Sequence, residues 1–193
     1  AIMAKALEMF LSIPIFVGYL ISSIVVIPIV INGFTFISRF QIWTQPVWIF
    51  LHVLPFAFIA TNHSILFEEW TGYTGVLGDP DGSFNILLFG AASAVIFSLA
   101  AQIGEQVDFL RFLPPKTKKN KISWWTSLLA AGPGWMLVGG LKIFAGSFLV
   151  FLCLKMNIPV DMAGEPTLMY KTAFQFVFTS SWAVAFATAT FVI

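Results

Sequence analysis

Apolar runs long enough to cross a bilayer recur along this chain, separated by short polar stretches, and few folds are open to a chain built that way. A hydrocarbon core of roughly 30 Å takes about 20 apolar residues of helix to cross. The stretches that qualify are residues 7–33, 43–60, 84–103, 124–154 and 172–193. Hydrophobic residues make up 59% of the chain and charged residues 10%, so a water-soluble domain is not expected. Backbone amides in lipid find partners only within a helix or a closed barrel, and these runs are too long and too little alternating for barrel strands. The expectation is an all-α integral membrane protein, a helical bundle forming one transmembrane domain over residues 1–193.

Charge distribution orients that bundle. Arg111, Lys116, Lys118, Lys119 and Lys121 lie between the third and fourth runs, opposed only by Glu105 and Asp108. Loop 104–123 is therefore expected in the cytoplasm, by the excess of basic residues on that side of membrane proteins. The 61–83 connection carries Glu68, Glu69, Asp79 and Asp81 with no Lys or Arg and is expected outside. Arg39 then falls inside, and every run alternates correctly. Trp43, Trp48, Trp124 and Trp125 stand near run ends, as interfacial anchors do. The location expected is the bacterial inner (plasma) membrane, with the lipid bilayer as partner. The chain opens without Met, has no signal-peptide pattern and stops at Ile193 inside an apolar run, which reads as an internal segment of a longer protein.

Several function classes are poorly served. The single cysteine, Cys153, sits between Leu152 and Leu154, so there is neither a disulfide framework nor a cysteine metal site, and it reads as a small buried hydrophobe. Asp79 and Asp81 open like a calcium loop, but the later ligand positions are missing, and no metal or other cofactor is expected. No nucleophile, base and orienter share a plausible spacing, so the chain is not read as an enzyme. Topology accounts for the basic residues, so no nucleic-acid partner is expected. Asn62 heads an N-H-S sequon, relevant only where external loops are glycosylated.

Polar groups within the runs are the candidates for function. The third run, FNILLFGAASAVIFSLAAQIG, clusters Gly90 to Ala94 in its outer half, and small residues there let backbone groups face a cavity. Ser93, Phe97, Ser98 and Gln102 are the candidate substrate-binding residues on that segment. The competing reading is a close-packed helix whose serines bond back to the preceding turn. Lys142 lies deep in the fourth run, where an ammonium costs at least ~2.5 kcal/mol. It either faces the interior of the protein or snorkels to an interface. Gly132, Gly139 and Gly146 recur every seven residues and predict close helix packing along one stripe. His52 is read as bonded to a carbonyl rather than as a proton relay. Pro14, Pro28 and Pro55 are read as structural kinks. Glu105, Asp108 and Arg111 recur at i, i+3 spacing just beyond the third run, either as a gate or as a helix cap.

The residues around that cluster resemble a known family. Asp108, Phe109, Leu110, Arg111 and Phe112, with Pro114 close behind, resemble the cytoplasmic motif that ends the sixth helix of nucleobase–cation symporters of the purine/cytosine permease type. WWTSLLAAGPGWMLVGG resembles that family's Gly/Pro-rich seventh helix, and NGFTFISRFQIWTQP its link between helices four and five. The resemblance implies that the runs are helices four to eight of a LeuT-like transporter with two inverted five-helix repeats, alternating access around a midplane site. It also implies a coupling sodium or proton, with Asp108 and Arg111, beside Glu105, at an inner gate. The family places a Trp after a small residue in helix six; this chain has none between Asn85 and Gln106, Leu99 stands near the expected position, and Phe97 is the aromatic at hand. The function expected is a cation-coupled permease for a small solute, with purine or pyrimidine nucleobases among the candidates. The alternative is a transporter-like membrane sensor signalling through an attached cytoplasmic module.

Overall fold

The computed structural model of the chain describes residues 1–76, 83–98, 107 and 110–192. Gln102, Glu105, Asp108, Leu99, Asp79 and Asp81 lie outside the described residues. Among those described, regular structure is entirely helical: α1 (Ile2–Leu11), α2 (Ile15–Ile31), α3 (Gly33–Asn62), α4 (Ile65–Thr71), α5 (Ile86–Ser98), α6 (Lys121–Ala131), α7 (Gly134–Lys155), α8 (Val160–Ala163), α9 (Pro166–Gln175) and α10 (Ser180–Val192). The chain divides into two compact units, Ala1–Thr71 with Ser147–Ile193, and Gly72–Gly146.

Among the described residues two helical stretches are long and apolar enough to cross a membrane, Gly33–Asn62 and Lys121–Lys155. Only 17% and 28% of their most apolar windows lie buried, whereas the core helix of a soluble domain is buried for most of its length. The first and fifth apolar runs resolve into shorter helices, and in the first each interruption has a local cause. In the first run Ser12 adopts a left-handed conformation (φ 54°) and donates its N–H to Glu8 O, and Pro14 caps α2, so α1 and α2 are separate helices. The residue before a proline is steered away from helical ψ, which makes Ile13 the natural breakpoint. Asn32 and Gly33 (φ 77°) divide α2 from α3, with the Asn32 amide Nδ2 donating to Pro28 O at 2.6 Å. Left-handed Gly is the commonest helix stop because it lacks the Cβ that makes this region costly. The fifth run divides between α9 and α10. By contrast Pro28, Pro46 and Pro55 are accommodated within helices.

The C-terminal end of α7 shows how such stops are built. Asn157 is left-handed (φ 60°), Ile158 N–H reaches back to Cys153 O and Asn157 N–H to Leu154 O, both at 3.0 Å. Pro159 follows at once. The carbonyls that the helix end leaves without intrahelical partners are thus satisfied by the turn itself.

The core of the first unit forms where α3, α4, α9, α10 and the end of α7 contribute apolar side chains. Ile59, Leu66, Phe148, Leu149, Phe151, Leu152 and Ala173 form one buried cluster, and Leu51, Phe174, Ala183 and Ala187 a second. Aromatic pairs reinforce both: Phe67 stacks on Phe148 at 4.3 Å between ring centroids, and Phe178 on Phe186 at 4.4 Å. Tyr170 against Phe191 and Phe174 against Phe186 make α9 and α10 an antiparallel hairpin. Thr188 Oγ1 donates to Val184 O at 2.8 Å and to Ala6 O at 3.3 Å, tying α10 to α1.

Close backbone approach between two helices occurs at Gly18, which lies outside the sequence stripe. A Cβ at Gly18 would lie 2.8 Å from Ala4 O and 3.1 Å from Ala4 Cα, which sets the α1–α2 contact. At Gly139 and Gly146 no described neighbouring atom lies within 4 Å of such a Cβ, so the close packing expected along that stripe is not found among the described residues. Sequence periodicity aligns glycines on a helix; it does not supply the neighbour.

Among the described residues two ion pairs join distant segments. Lys5 Nζ lies 2.5 Å from Glu165 Oε2, and Lys155 Nζ bonds Glu69 Oε2. The hydrogen bond to Glu165 holds the Lys5 pKa above the ordinary lysine value of 10.5, against a smaller opposing effect of desolvation. Both pairs are partly exposed, and such pairs hold geometry more than they add stability.

Two predictions follow from this packing. Gly18→Ala, which in an open helix would stabilise by up to ~1 kcal/mol, is expected to lower stability by about 1–3 kcal/mol because the Ala4 carbonyl it meets is backbone. Thermal unfolding gives the sign. Because the folded pKa of Lys5 is raised, its contribution is fully present below pH 10.5 and declines as pH climbs through the folded value. An alkaline unfolding series should therefore show a loss that Lys5→Gln abolishes.

Candidate functional site

Of the expected substrate-binding residues, Ser93, Phe97 and Ser98 lie on α5, and Gln102 lies outside the described residues. Asn85 starts this helix: its Oδ1 accepts the N–H groups of Leu87 at 3.0 Å and Leu88 at 3.1 Å, supplying two donors that the first turn leaves over. Gly90, Ser93 and Phe97 follow at spacings of three and four and share one face. Gly90 has no described atom within 4 Å of a Cβ, Ser93 is half-buried and Phe97 is 75% exposed. That face offers bare backbone, a hydroxyl and an aromatic ring in succession.

The helical hydroxyls fall into two groups. Ser22, Thr44, Thr61, Thr188 and Thr190 all bond back to a carbonyl of their own preceding turn. Ser93, like Ser23 and Thr35, makes no such bond with any described residue. Its hydroxyl keeps both donor and acceptor capacity.

Of the charged candidates, Arg111 and Lys142 are among the described residues. Arg111 N–H donates to Val107 O at 3.1 Å, and its guanidinium sits 5.0 Å from the Phe112 ring centroid. Glu105 and Asp108, its expected gate partners, lie outside the described residues. Lys142 is exposed on α7. Helical geometry places it about 40–60° around the axis from Gly139 and Gly146, so its stem runs beside the small-residue stripe.

Between α6 and α7 the long apolar stretch is interrupted at Gly132 and Pro133. Gly132 takes φ −86° and ψ −103°, and a Cβ there would lie 2.8 Å from Leu128 O. At Gly134 a Cβ would lie 2.9 Å from Leu129 O. Pro133 has no N–H to return to the Leu129 carbonyl. The G-P-G order therefore opens the backbone ladder inside an apolar segment, with a glycine on each side to tolerate the close carbonyls.

His52 follows its carbonyl-bonded reading. Its Nδ1 lies 2.8 Å from Trp48 O, and since a carbonyl only accepts, Nδ1 carries the proton in this contact. The ring lies 3.7 Å from the Trp48 ring centroid and 5.0 Å from that of Tyr170, so it belongs to an aromatic wall of α3 and α9. The Lys5–Glu165 and Lys155–Glu69 pairs were not legible in the sequence, because partners separated by 160 and 86 residues leave no local spacing to read.

No family model, no curated protein and no solved structure matches the chain.

Since no described side chain stacks on Phe97, Phe97→Ala and Ser93→Ala are expected to leave the unfolding midpoint within the effect of ~0.5 kcal/mol typical of unpacked positions. A larger loss in either would make α5 a packing helix rather than a binding one.

Proposed function

We propose that the chain is part of a membrane-embedded permease that moves a small solute, coupled to sodium or a proton, with the Gly90–Ser93–Phe97 face of α5 lining the pathway. The observation that carries this reading is the G-P-G break between α6 and α7 within the apolar Lys121–Lys155 stretch. Opened backbone at hydrocarbon depth persists only where protein or a water-filled cavity satisfies it, and transporters use such discontinuous helices to present carbonyls and amides to a solute or ion. Lys142, nine residues beyond Pro133, adds a charge that lipid alone would not accommodate.

The ion pairs support the orientation derived from charge. Glu69 and Lys155 both belong to segments that this orientation puts outside, and they pair; so do Lys5 and Glu165. The resemblance to purine/cytosine permeases makes a planar nucleobase the first solute to try, with Phe97 as the ring against which it stacks and the Ser93 hydroxyl as its hydrogen-bond partner. Arg111, over Phe112, is assigned to the inner gate.

Uptake by the intact protein in proteoliposomes, with a sodium or proton gradient and a nucleobase panel, tests the reading. Loss of one hydrogen bond or one stacking ring is expected to raise KM about tenfold in Ser93→Ala or Phe97→Ala. Arg111→Ala should lower turnover more than binding. Gradient-independent flux, or normal kinetics in all three variants, would sink it.

A further inference from the structure

We propose that the 114–121 loop and the first two turns of α6 bind an anionic phospholipid, its phosphate headgroup on Lys118, Lys119 and Lys121 and an acyl chain along Ile122, Trp125 and Leu129. The proposal rests on the membrane reading above and adds to it a lipid class and the residues that select it.

The loop is ordered by its own bonds. Asn120 Oδ1 accepts Thr117 N–H at 2.6 Å and the Thr117 hydroxyl at 2.9 Å, while Asn120 Nδ2 donates to Pro115 O at 3.1 Å. Trp124 Nε1 donates to Pro114 O at 2.9 Å, folding the loop back on the helix that follows it. Lys116 Nζ is held 5.3 Å from the Trp124 ring centroid and 4.8 Å from that of Trp125, and the two indoles meet edge to face at 5.2 Å. One lysine is thus committed to the aromatic clasp. The remaining three are exposed and form no ion pair with any described residue.

No carboxylate follows in sequence to neutralise them. Between Asp108 and Asp161 the chain contains no Asp or Glu, while it carries Arg111, Lys116, Lys118, Lys119, Lys121, Lys142 and Lys155. Clusters of basic residues beside a membrane helix attract anionic headgroups, and paired Trp residues mark the depth at which headgroup gives way to hydrocarbon.

What selects a lipid over a dissolved phosphate is the surface that continues from the lysines. Ile122, Trp125 and Leu129 stand at i, i+3 and i+7 of α6, on one face, and are 81%, 43% and 54% exposed. A soluble anion has no use for such a stripe, and an acyl chain attached to a phosphate lies along it.

The test is tryptophan quenching of the full chain reconstituted in vesicles containing either brominated phosphatidylglycerol or brominated phosphatidylcholine. The chain is expected to associate with the anionic lipid about tenfold more strongly than K118Q/K119Q/K121Q does, given the several-fold contribution of each lysine near an anionic surface. Equal quenching of the two proteins by brominated phosphatidylcholine shows that both are inserted. K118R/K119R/K121R, which keeps the charge, must keep the preference. An unchanged preference in the glutamine variant overturns the proposal and leaves the membrane reading standing. Abolition of the preference by dissolved glycerol phosphate assigns the loop to a soluble anion and also overturns it. Quenching of the unaltered chain by neither lipid removes the membrane reading together with the proposal.

Discussion

The backbone hydrogen bond inside each helix is the constraint on which the rest of this structure depends. A chain with 59% hydrophobic residues has few side chains with which to satisfy N–H and C=O groups, so the backbone must satisfy itself. Helices do that without regard to sequence distance, and the described residues form them throughout. Some hydroxyls do the same: Ser22, Thr44, Thr61 and Thr188 donate to carbonyls one turn back. The places that depart from this economy are therefore informative. At Pro133, just after the Gly132 N–H to Leu128 O bond, the ladder lacks a donor, and the Ser93 hydroxyl is not returned to a described carbonyl of its own helix.

Packing is uneven along the chain. In the first unit the aromatic and aliphatic side chains of α3, α4, α9, α10 and the end of α7 interlock around Phe148 and Phe174, both essentially fully buried. Tightness at Gly18 and Ala4, the α9–α10 hairpin and the Thr188 bond to Ala6 give that unit several independent ties. The second unit, which holds α5 and α6, leaves large apolar side chains such as Leu87, Phe97 and Ile122 facing outward. Helices of that kind expose apolar surface that another apolar medium must cover. In the proposed permease that medium is lipid together with the rest of the transporter, and the exposed face of α5 is where a solute meets the chain.

The local causes were readable in the residues. Pro14 and the G-P-G order each announce a helix break, and Asn157 before Ile158-Pro159 announces a stop, because these residues act through their own φ, their own N–H or their own lack of Cβ. Asn85 as the start of α5 is of the same kind. His52 in contact with a carbonyl was also within reach, since one turn back along its helix a carbonyl always stands. At Gly139 and Gly146 the stripe meets no described neighbour, because a seven-residue spacing describes the helix that carries the glycines and contains no information about a second helix to fill them.

Composition and periodicity alone determined that the described residues are helical and where the apolar runs lie, since both follow from backbone chemistry acting within a few residues; the breaks at Ser12–Pro14, Asn32–Gly33 and Gly132–Pro133 divide runs that composition leaves whole. Tertiary structure alone decided that Lys5 meets Glu165 and Lys155 meets Glu69, that Gly18 rather than Gly139 takes the close contact, and that the 114–121 loop closes on Trp124. Those outcomes depend on which surfaces meet once the helices exist. Contacts between separate segments are chosen by shape and by competition among many similar apolar faces, and no single-helix spacing encodes that choice.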